Sequence, residues 1–480
     1  MKKLLSLLLM TVMILGLCAC GKTEAPPVEE KTFRVGYARV DITPKYNVPL
    51  AGYGNTSQRF SNGFLSYLYT TCIAITDAQD STVLLFTTDM IAITDHYTKL
   101  FREAVTAATG VPAERIMFSN THSHSGPDLW SNEPIMAQYM DELAGFVTQA
   151  ATEAMADRSP ATMETGVGYT EGLNFVRHYT TSSGEIYGDN LELKGVMTGH
   201  TSDPDNEIQL IRFRRAAEGK KDILAVNWQA HVKVDSSGET MQGQANRGYL
   251  SADYVGGARD YVEKNSDCLF AFYLGAAGNL NPNSKMTQEN YSTDCKVYSA
   301  KLGEYIVSGM ESLQPVQNDA IAVSATQKIY SATSDHSEDD KVADATAITE
   351  IWYATNNYAQ AMAAAPDSGI CSPYHAMSII NRSKVTVATR EMELNAISVG
   401  PIGFITAPYE MFDVNGMEIK DGSPFETTFV ITCANGHHDY IAADYAFEGR
   451  GTYEVHNRRF IRGTAEDLAQ TYVDMLNSLA

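Results

Sequence analysis

Arg115-Ile116-Met117-Phe118-Ser119 runs into Asn120-Thr121-His122-Ser123-His124-Ser125-Gly126-Pro127, and the fold class turns on this stretch. A short apolar run that stops at polar residues and a Gly-Pro turn predicts a strand over 115–119, with functional side chains just past its end. Immediately before it, 95–108 carries a helical pattern closed by Gly110, and 65–75 and 82–87 are strand-like, with a turn at 77–80 between them. Residues 33–42 alternate apolar and polar side chains and stop at Thr43-Pro44, a first strand and turn. Strand, helix, strand, with polar groups beyond the last strand, is the way mixed α/β sheets present chemistry.

The same alternation of elements continues downstream. Helices are expected over 132–155, 253–262, 297–310 and 464–479. Strands are expected over 207–213, 224–228, 268–274, 321–332, 384–399, 401–406 and 429–433. An acidic, polar stretch at 331–340 reads as a long surface loop and 345–365 as an alanine-rich helix, together a surface elaboration over about 331–375. There is no internal repeat, no heptad pattern and no linker after Lys31. The expectation is a single α/β body of mixed β-sheets packed together with flanking helices, spanning 33–480.

The N-terminus reads differently. Lys2 and Lys3 precede an apolar run over 4–17 that ends in Leu17-Cys18-Ala19-Cys20, the layout of a secretory signal. Leu17, Ala19 and Cys20 resemble the processing site of bacterial lipoproteins. That implies a signal over 1–19, a lipid on Cys20, and export to the outer or periplasmic side of the cell membrane. Residues 21–31 have almost no apolar content, so 20–32 reads as a tether. The chain carries a net charge of -22 and becomes two units more negative when Lys2 and Lys3 leave. Such a surface argues against nucleic acid and against electrostatic adhesion to anionic lipid, which leaves the anchor on Cys20 to hold the protein at a membrane. Beyond Cys20 stand Cys72, Cys268, Cys295, Cys371 and Cys433, without metal-type spacing. They allow at most two disulfides, and Cys268, inside an apolar run, reads as a buried thiol.

If the strand continued past Asn120, His122 and His124 would share one face, because side chains alternate with period two. Two imidazoles on a face can hold a metal or divide into ligand and base; equally, they can mark a strand end that meets water. His231 ends another strand-like run and gains weight as a third nitrogen only beside that pair. Glu410 follows Phe404-Ile405-Thr406-Ala407-Pro408 at a strand-to-helix junction, where a carboxylate can also simply stabilise a first helical turn. His437 and His438 are adjacent, would point oppositely if extended, and are left outside the ligand set.

These blocks together resemble the catalytic domain of neutral, non-lysosomal ceramidases, zinc amidases that cut the N-acyl bond of ceramide. The resemblance rests on Val35-Gly36-Tyr37-Ala38-Arg39-Val40-Asp41-Ile42-Thr43-Pro44, Thr88-Asp89, and Thr121-His122-Ser123-His124-Ser125-Gly126-Pro127. It continues through the segment from Asn227 to His231, Leu250-Ser251-Ala252-Asp253-Tyr254, Gly275-Ala276-Ala277-Gly278-Asn279-Leu280-Asn281-Pro282, Pro408-Tyr409-Glu410, and Asn435 to Tyr440 with Tyr453-Glu454. The blocks keep family order over about residues 33–455. The resemblance implies Zn2+ held by His122, His231, Glu410 and Tyr440, with His124 and Arg177 beside the water and substrate and Tyr453 lining the site.

The departures are specific. Where the family commonly has Gly-Asp-Val-Ser-Pro, this chain has Gly278-Asn279-Leu280-Asn281-Pro282, which argues against a serine nucleophile and leaves metal-activated water. The segment around Arg177 is a poor copy of the family's Asn-Arg-Ser block, and the resemblance does not extend to the immunoglobulin-like domain that ceramidases carry at their C-terminus. The expected function is hydrolysis of an N-acyl bond, with ceramide or a related lipid amide as the leading substrate. The alternatives are another zinc hydrolase (peptidase, esterase or carbohydrate deacetylase) on the same site, or a non-catalytic binding lipoprotein.

Overall fold

A computed structural model describes residues 32–52, 59–188, 197–237, 248–283, 294–317 and 321–480. The signal, Cys20 and the tether lie outside these residues. From Phe33 to Ala480 the chain gathers into one unit built on two sheets. In the larger sheet, β1 (Arg34–Asp41), β2 (Tyr69–Thr76), β3 (Thr82–Thr88) and β4 (Ile116–Asn120) form one half. The other half is β5 (Ser159–Tyr169), β6 (Glu207–Arg215), β7 (Asp222–Trp228) and β8 (Cys268–Leu274), in the order β8-β7-β6-β5-β1-β2-β3-β4. The smaller sheet is β9 (Val323–Thr333), β10 (Thr389–Val399), β11 (Ile402–Thr406) and β12 (Thr427–Ile431). The fold is therefore mixed α/β, with packed sheets and flanking helices.

Period-two alternation divides each strand between two cores. Ala38, Val40, Cys72, Ala74, Leu84, Phe86 and Phe118 face the helices α1 (Asp95–Thr109) and α2 (Pro134–Asp157). Val35, Tyr37, Ile73, Ile75, Leu85 and Met117 turn the other way and meet Ile397, Phe404 and Phe429 of the smaller sheet. Burial on both faces accounts for the near-continuous apolar runs of β3 and β8. On the remaining faces, α3 (Asp253–Asn265) and α4 (Cys295–Gly309) cover β6 to β8, and α6 (Thr464–Asn477) covers the smaller sheet, with α5 (Asp413–Gly422) beside it. No described helix is long and apolar enough to cross a membrane.

Two expectations are corrected. The surface loop expected over 331–340 is shorter: β9 runs to Thr333, Ser334 and Asp335 are buried, and Asp335 pairs with Arg458. The single helix over 345–365 is instead Val342–Thr355 and Tyr358–Met362, because Asn356 takes a left-handed conformation (φ 49°) that closes the first helix. The five described cysteines are free thiols, within the bound of at most two disulfides, and Cys268 is buried as expected.

Two pairs in the larger sheet are parallel, β3 with β4 and β7 with β8, and so is the β11–β12 pair of the smaller sheet. Backbone hydrogen bonds tie the segments just past these strands together: Asn435 N to Phe118 O, Thr432 N to Leu274 O, Gly275 N to Trp228 O and His231 N to Leu280 O. The C-terminal ends of β4, β7, β8, β11 and β12 thus converge, the place where open parallel strands expose unpaired groups to a ligand.

Candidate active site

The strand β4 ends at Asn120, and His122 sits at φ 65°, so strand alternation is not what aligns His122 with His124. A turn does so. Thr121 N donates to Thr88 O, His122 N to Met90 O and His124 N to Val232 O, and the Asn120 amide reaches Cys433 O at 2.8 Å. The two rings finish 5.0 Å apart, and His231, just past β7, lies 5.0 Å from the first and 5.6 Å from the second. Gly52 (φ 103°) packs against His124 so closely that a Cβ there would fall 2.5 Å from the ring.

Each of two histidines is oriented by its Nδ1. That of His122 donates to Ile91 O (2.9 Å) and that of His231 to Ala277 O (2.8 Å), which turns both Nε2 lone pairs inward. Between them stands Glu410, in a two-residue strand, Glu410–Met411, parallel to Tyr440–Ile441. Its Oε2 is 3.4 Å from His122 Nε2 and 3.1 Å from His231 Nε2, while the Tyr440 hydroxyl is 3.2 Å from His231 Nε2. Gly278 lies directly against this strand, where a Cβ would meet Glu410 O at 2.7 Å. Two ligand atoms each 2.0 to 2.1 Å from a tetrahedral ion lie about 3.3 to 3.4 Å apart, so these spacings are those of a coordination edge. His122 Nε2 and Glu410 Oε2 are also buried without a hydrogen bond among the described residues. A donor set of two imidazoles, a carboxylate and a phenol, with one imidazole nitrogen and one carboxylate oxygen left unsatisfied among the described residues, fits a divalent metal. A ring nitrogen of His124 falls in the same cluster, its ligand atoms and those of His122 and His231 all within 4.8 Å of one another.

The electrostatics follow from burial. Burial opposes charge on Glu410, yet His122, His231 and His437 hold its carboxyl well below the usual range. Burial pushes His231 down to about 3 and, helped by His122 and His231, carries His124 well below the ordinary imidazole value. For His122 burial is overcome by Cys433 and Glu410, and its value rises. Burial, with Glu410 nearby, raises the phenol of Tyr440 well above its usual value and that of Tyr453 to about 12, so both keep their protons.

Arg177 is brought to the same place: its guanidinium lies 5.5 Å from the ring centres of Tyr440 and Tyr453 and donates to Gly278 O at 2.9 Å. All seven residues singled out in the sequence therefore surround one point. Reading the sequence assigned no part to Glu454, although it stands next to Tyr453. It is buried, pairs with Arg177 Nε and receives His178 Nε2 at 2.9 Å. Cys433 was equally unassigned, and its Sγ lies 3.4 Å from His122 Nδ1. A second group, Cys371, His375 and His456, also brings ligand-type atoms together. There, however, His375 Nδ1 accepts from Cys371 N and Nε2 donates to Glu338, and the two imidazoles stack in parallel planes 3.9 Å apart. Neither lone pair of His375 is left for a metal.

Residues 33–384 match the family model described as neutral/alkaline non-lysosomal ceramidase, N-terminal. Among solved structures, the chain is similar to the neutral ceramidase from Pseudomonas aeruginosa at 15% identity. That match has a TM-score of 0.65 and covers 94% of this chain and 75% of the other. It is also similar to a ceramidase complexed with C2, with the same identity and TM-score, over 93% of this chain and 75% of the other. No curated protein matches the chain in sequence.

Proposed function

The chain belongs to the neutral/alkaline non-lysosomal ceramidase family, and from that premise we propose that it is a zinc-dependent amidohydrolase that cleaves an N-acyl bond of a lipid amide. The observation that carries this reading is the spacing of the inner atoms of His122, His231, Glu410 and Tyr440, which four separate segments deliver to one point. A zinc ion there lowers the pKa of water from 15.7 toward about 7 and polarises a carbonyl.

The protein's own groups do the rest. His124, held by Val232 O and closed in by Gly52, takes the proton of the attacking water on a ring nitrogen. It returns that proton to the amine nitrogen as the carbon–nitrogen bond breaks, leaving a fatty acid and an amine. The Tyr440 and Tyr453 hydroxyls, protonated and set under the charge of Arg177, donate to the oxygen on which negative charge develops. Asn281 stands where the family has serine and offers no nucleophile, which is consistent with attack by water.

A lipid substrate is supported by apolar side chains near the site. Arg59 donates to His124 O, and Phe60, Phe64, Leu65 and Tyr67, just beyond it, are all exposed, Phe64 by 50%. At about 0.8 kcal/mol per buried methylene, eight carbons of acyl chain contribute roughly 6 kcal/mol before ordering costs, enough to dominate selection over the polar head. Long-chain ceramides, N-acyl amino acids, acetylated sugars and simple esters should be assayed with zinc-loaded wild type and H124A. Turnover of long-chain N-acyl sphingosines is expected to exceed that of N-acetyl analogues by orders of magnitude. H124A should retain its metal and lose about 10²- to 10⁴-fold in turnover. Hydrolysis of sugars or esters with none of any long-chain amide would refute the lipid reading.

The location is part of the proposal. Cys20 carries the lipid that keeps the exported domain at the membrane, beside its substrate. Intact-mass analysis is expected to find a lipid on the wild-type protein and none on C20S; an unlipidated wild type from its own host defeats this part alone.

A further inference from the structure

His437 stands in a turn held on both sides. Asn435 exchanges backbone hydrogen bonds with β4 through its N–H and side-chain Oδ1, to Phe118 O and from Phe118 N, both at 2.8 Å. Its amide nitrogen reaches Asn395 and Thr406, each at 3.1 Å. On the far side, His438 N donates to Pro408 O and Glu410 N to Asp439 O. Cys433, Asn435 and Asp439 adopt left-handed φ of 51°, 61° and 56°, a concentration of backbone strain that persists only because these anchors impose it.

The strained turn sends the two adjacent histidines apart. His438 Nε2 goes to Asp95 at 3.2 Å. His437 turns inward, its side chain only 8% exposed, with Nε2 3.6 Å from Glu410 Oε1 and Nδ1 3.5 Å from Asp439 Oδ1. Both ring nitrogens are buried, and neither makes a hydrogen bond among the described residues. Trp130, 44% exposed, covers the ring from the solvent side at 5.1 Å. Glu410 is thus approached from two directions: His122 and His231 on Oε2, His437 on Oε1.

We propose that His437 is a positioning residue for Glu410. Its Nε2–H faces the outer carboxylate oxygen and so favours the rotamer with Oε2 turned toward His122 and His231. A carboxylate with one oxygen unrestrained can swing about its terminal bond and lose the edge-length spacing to the two imidazoles. A donor on the other oxygen removes that freedom, as partners behind metal-binding carboxylates do. At 3.6 Å the hydrogen bond is poised and not yet formed. A cation held by His122, His231 and Glu410 would fix Oε2, and the His437 Nε2–H would then be the donor beside Oε1. Trp130 keeps water from taking the place of His437.

The inference rests on the reading of His122, His231 and Glu410 as metal ligands, and the test separates the two. H437Q and H437N introduce the same amide, but only glutamine is long enough to place its nitrogen where Nε2 stands. Zinc affinity should be measured on the metal-stripped full-length protein by competition with a chromophoric chelator, and the absorption spectrum recorded after loading with cobalt(II). H437N is expected to weaken zinc binding by about 10- to 100-fold and to shift the cobalt spectrum, with H437Q close to wild type in both. H438Q, altered one residue away on the side facing Asp95, should bind zinc as wild type does. Equal affinity in wild type, H437Q and H437N would overturn the role of His437, as would equal weakening in both variants. A wild-type protein that takes up no zinc would instead overturn the proposed function.

Discussion

Alanine in place of His231 or Glu410 is expected to reduce tightly held metal from about one ion per chain to almost none. Turnover should fall further than the roughly 10²- to 10⁴-fold expected of H124A. Glu410 Oε2 faces the Nε2 atoms of His122 and His231, at 3.4 and 3.1 Å. Without His231, the Tyr440 hydroxyl also loses its 3.2 Å partner, so two of the three inner contacts go at once. The scaffold survives, because the segment past β7 is still held by its backbone: residue 231 N to Leu280 O and His124 N to Val232 O. The measurement is elemental analysis of tag-free protein beside a thermal unfolding curve. H231A that folds and still holds a full equivalent of metal would remove His231 from the ligand set, and the same outcome for E410A would remove the carboxylate.

The contrast with H124A separates ligand from proton carrier, a distinction that spacing along the chain could not draw. His122 and His124 were legible as a pair, but the physical reason was misread. Two residues apart on a strand share a face, whereas here a left-handed His122 and a turn bonded to the ends of β3 and β7 bring the rings together. Strands such as β4, β7 and β8 could be read because burial on both faces demands unbroken apolar runs bounded by polar or glycine-rich turns. The central strand β5 could not. Ser-Pro-Ala-Thr-Met-Glu-Thr-Gly-Val-Gly-Tyr is only half-buried and carries two glycines that admit the chain near Ser312 and Gly309. Yet it joins the two halves of the sheet by pairing with both β1 and β6. Glu454 escaped for a different reason: its partner Arg177 is 277 residues away, and no local pattern encodes a pairing across that distance. For the adjacent histidines, alternation anticipated their divergence correctly, but only the turn's anchors decide that His437 is the one facing inward.

That distant pair gives the largest expected loss of stability. Glu454 is buried with Arg177 and His178, and burial, which disfavours its charge, is outweighed by those two partners, so its carboxyl stays ionised far below the usual range. E454A takes the carboxylate from the buried Arg177 guanidinium, which keeps Gly278 O but no longer its counter-charge, and breaking a buried pair from one side costs about 3 to 5 kcal/mol. Replacing both partners with alanine removes the uncompensated buried charge, so the double variant R177A/E454A should be less destabilised than the sum of the singles. The pH dependence has a definite sign. A carboxyl whose folded-state value is depressed contributes stability that is fully present above its unfolded value, about 4.3, and lost as pH falls toward the folded one. The gap in urea midpoint between wild type and E454A should therefore be widest near neutrality and narrow progressively below about pH 4. Activity should respond through Arg177. E454Q, isosteric and neutral, is expected to let the guanidinium drift from the Tyr440 and Tyr453 rings and to lower kcat more than it raises KM, because the charge over those phenols matters most as the oxyanion forms. Strictly additive destabilisation in the double variant, with a midpoint gap that ignores pH, would mean that Glu454 fills space beside Arg177 and does not hold it.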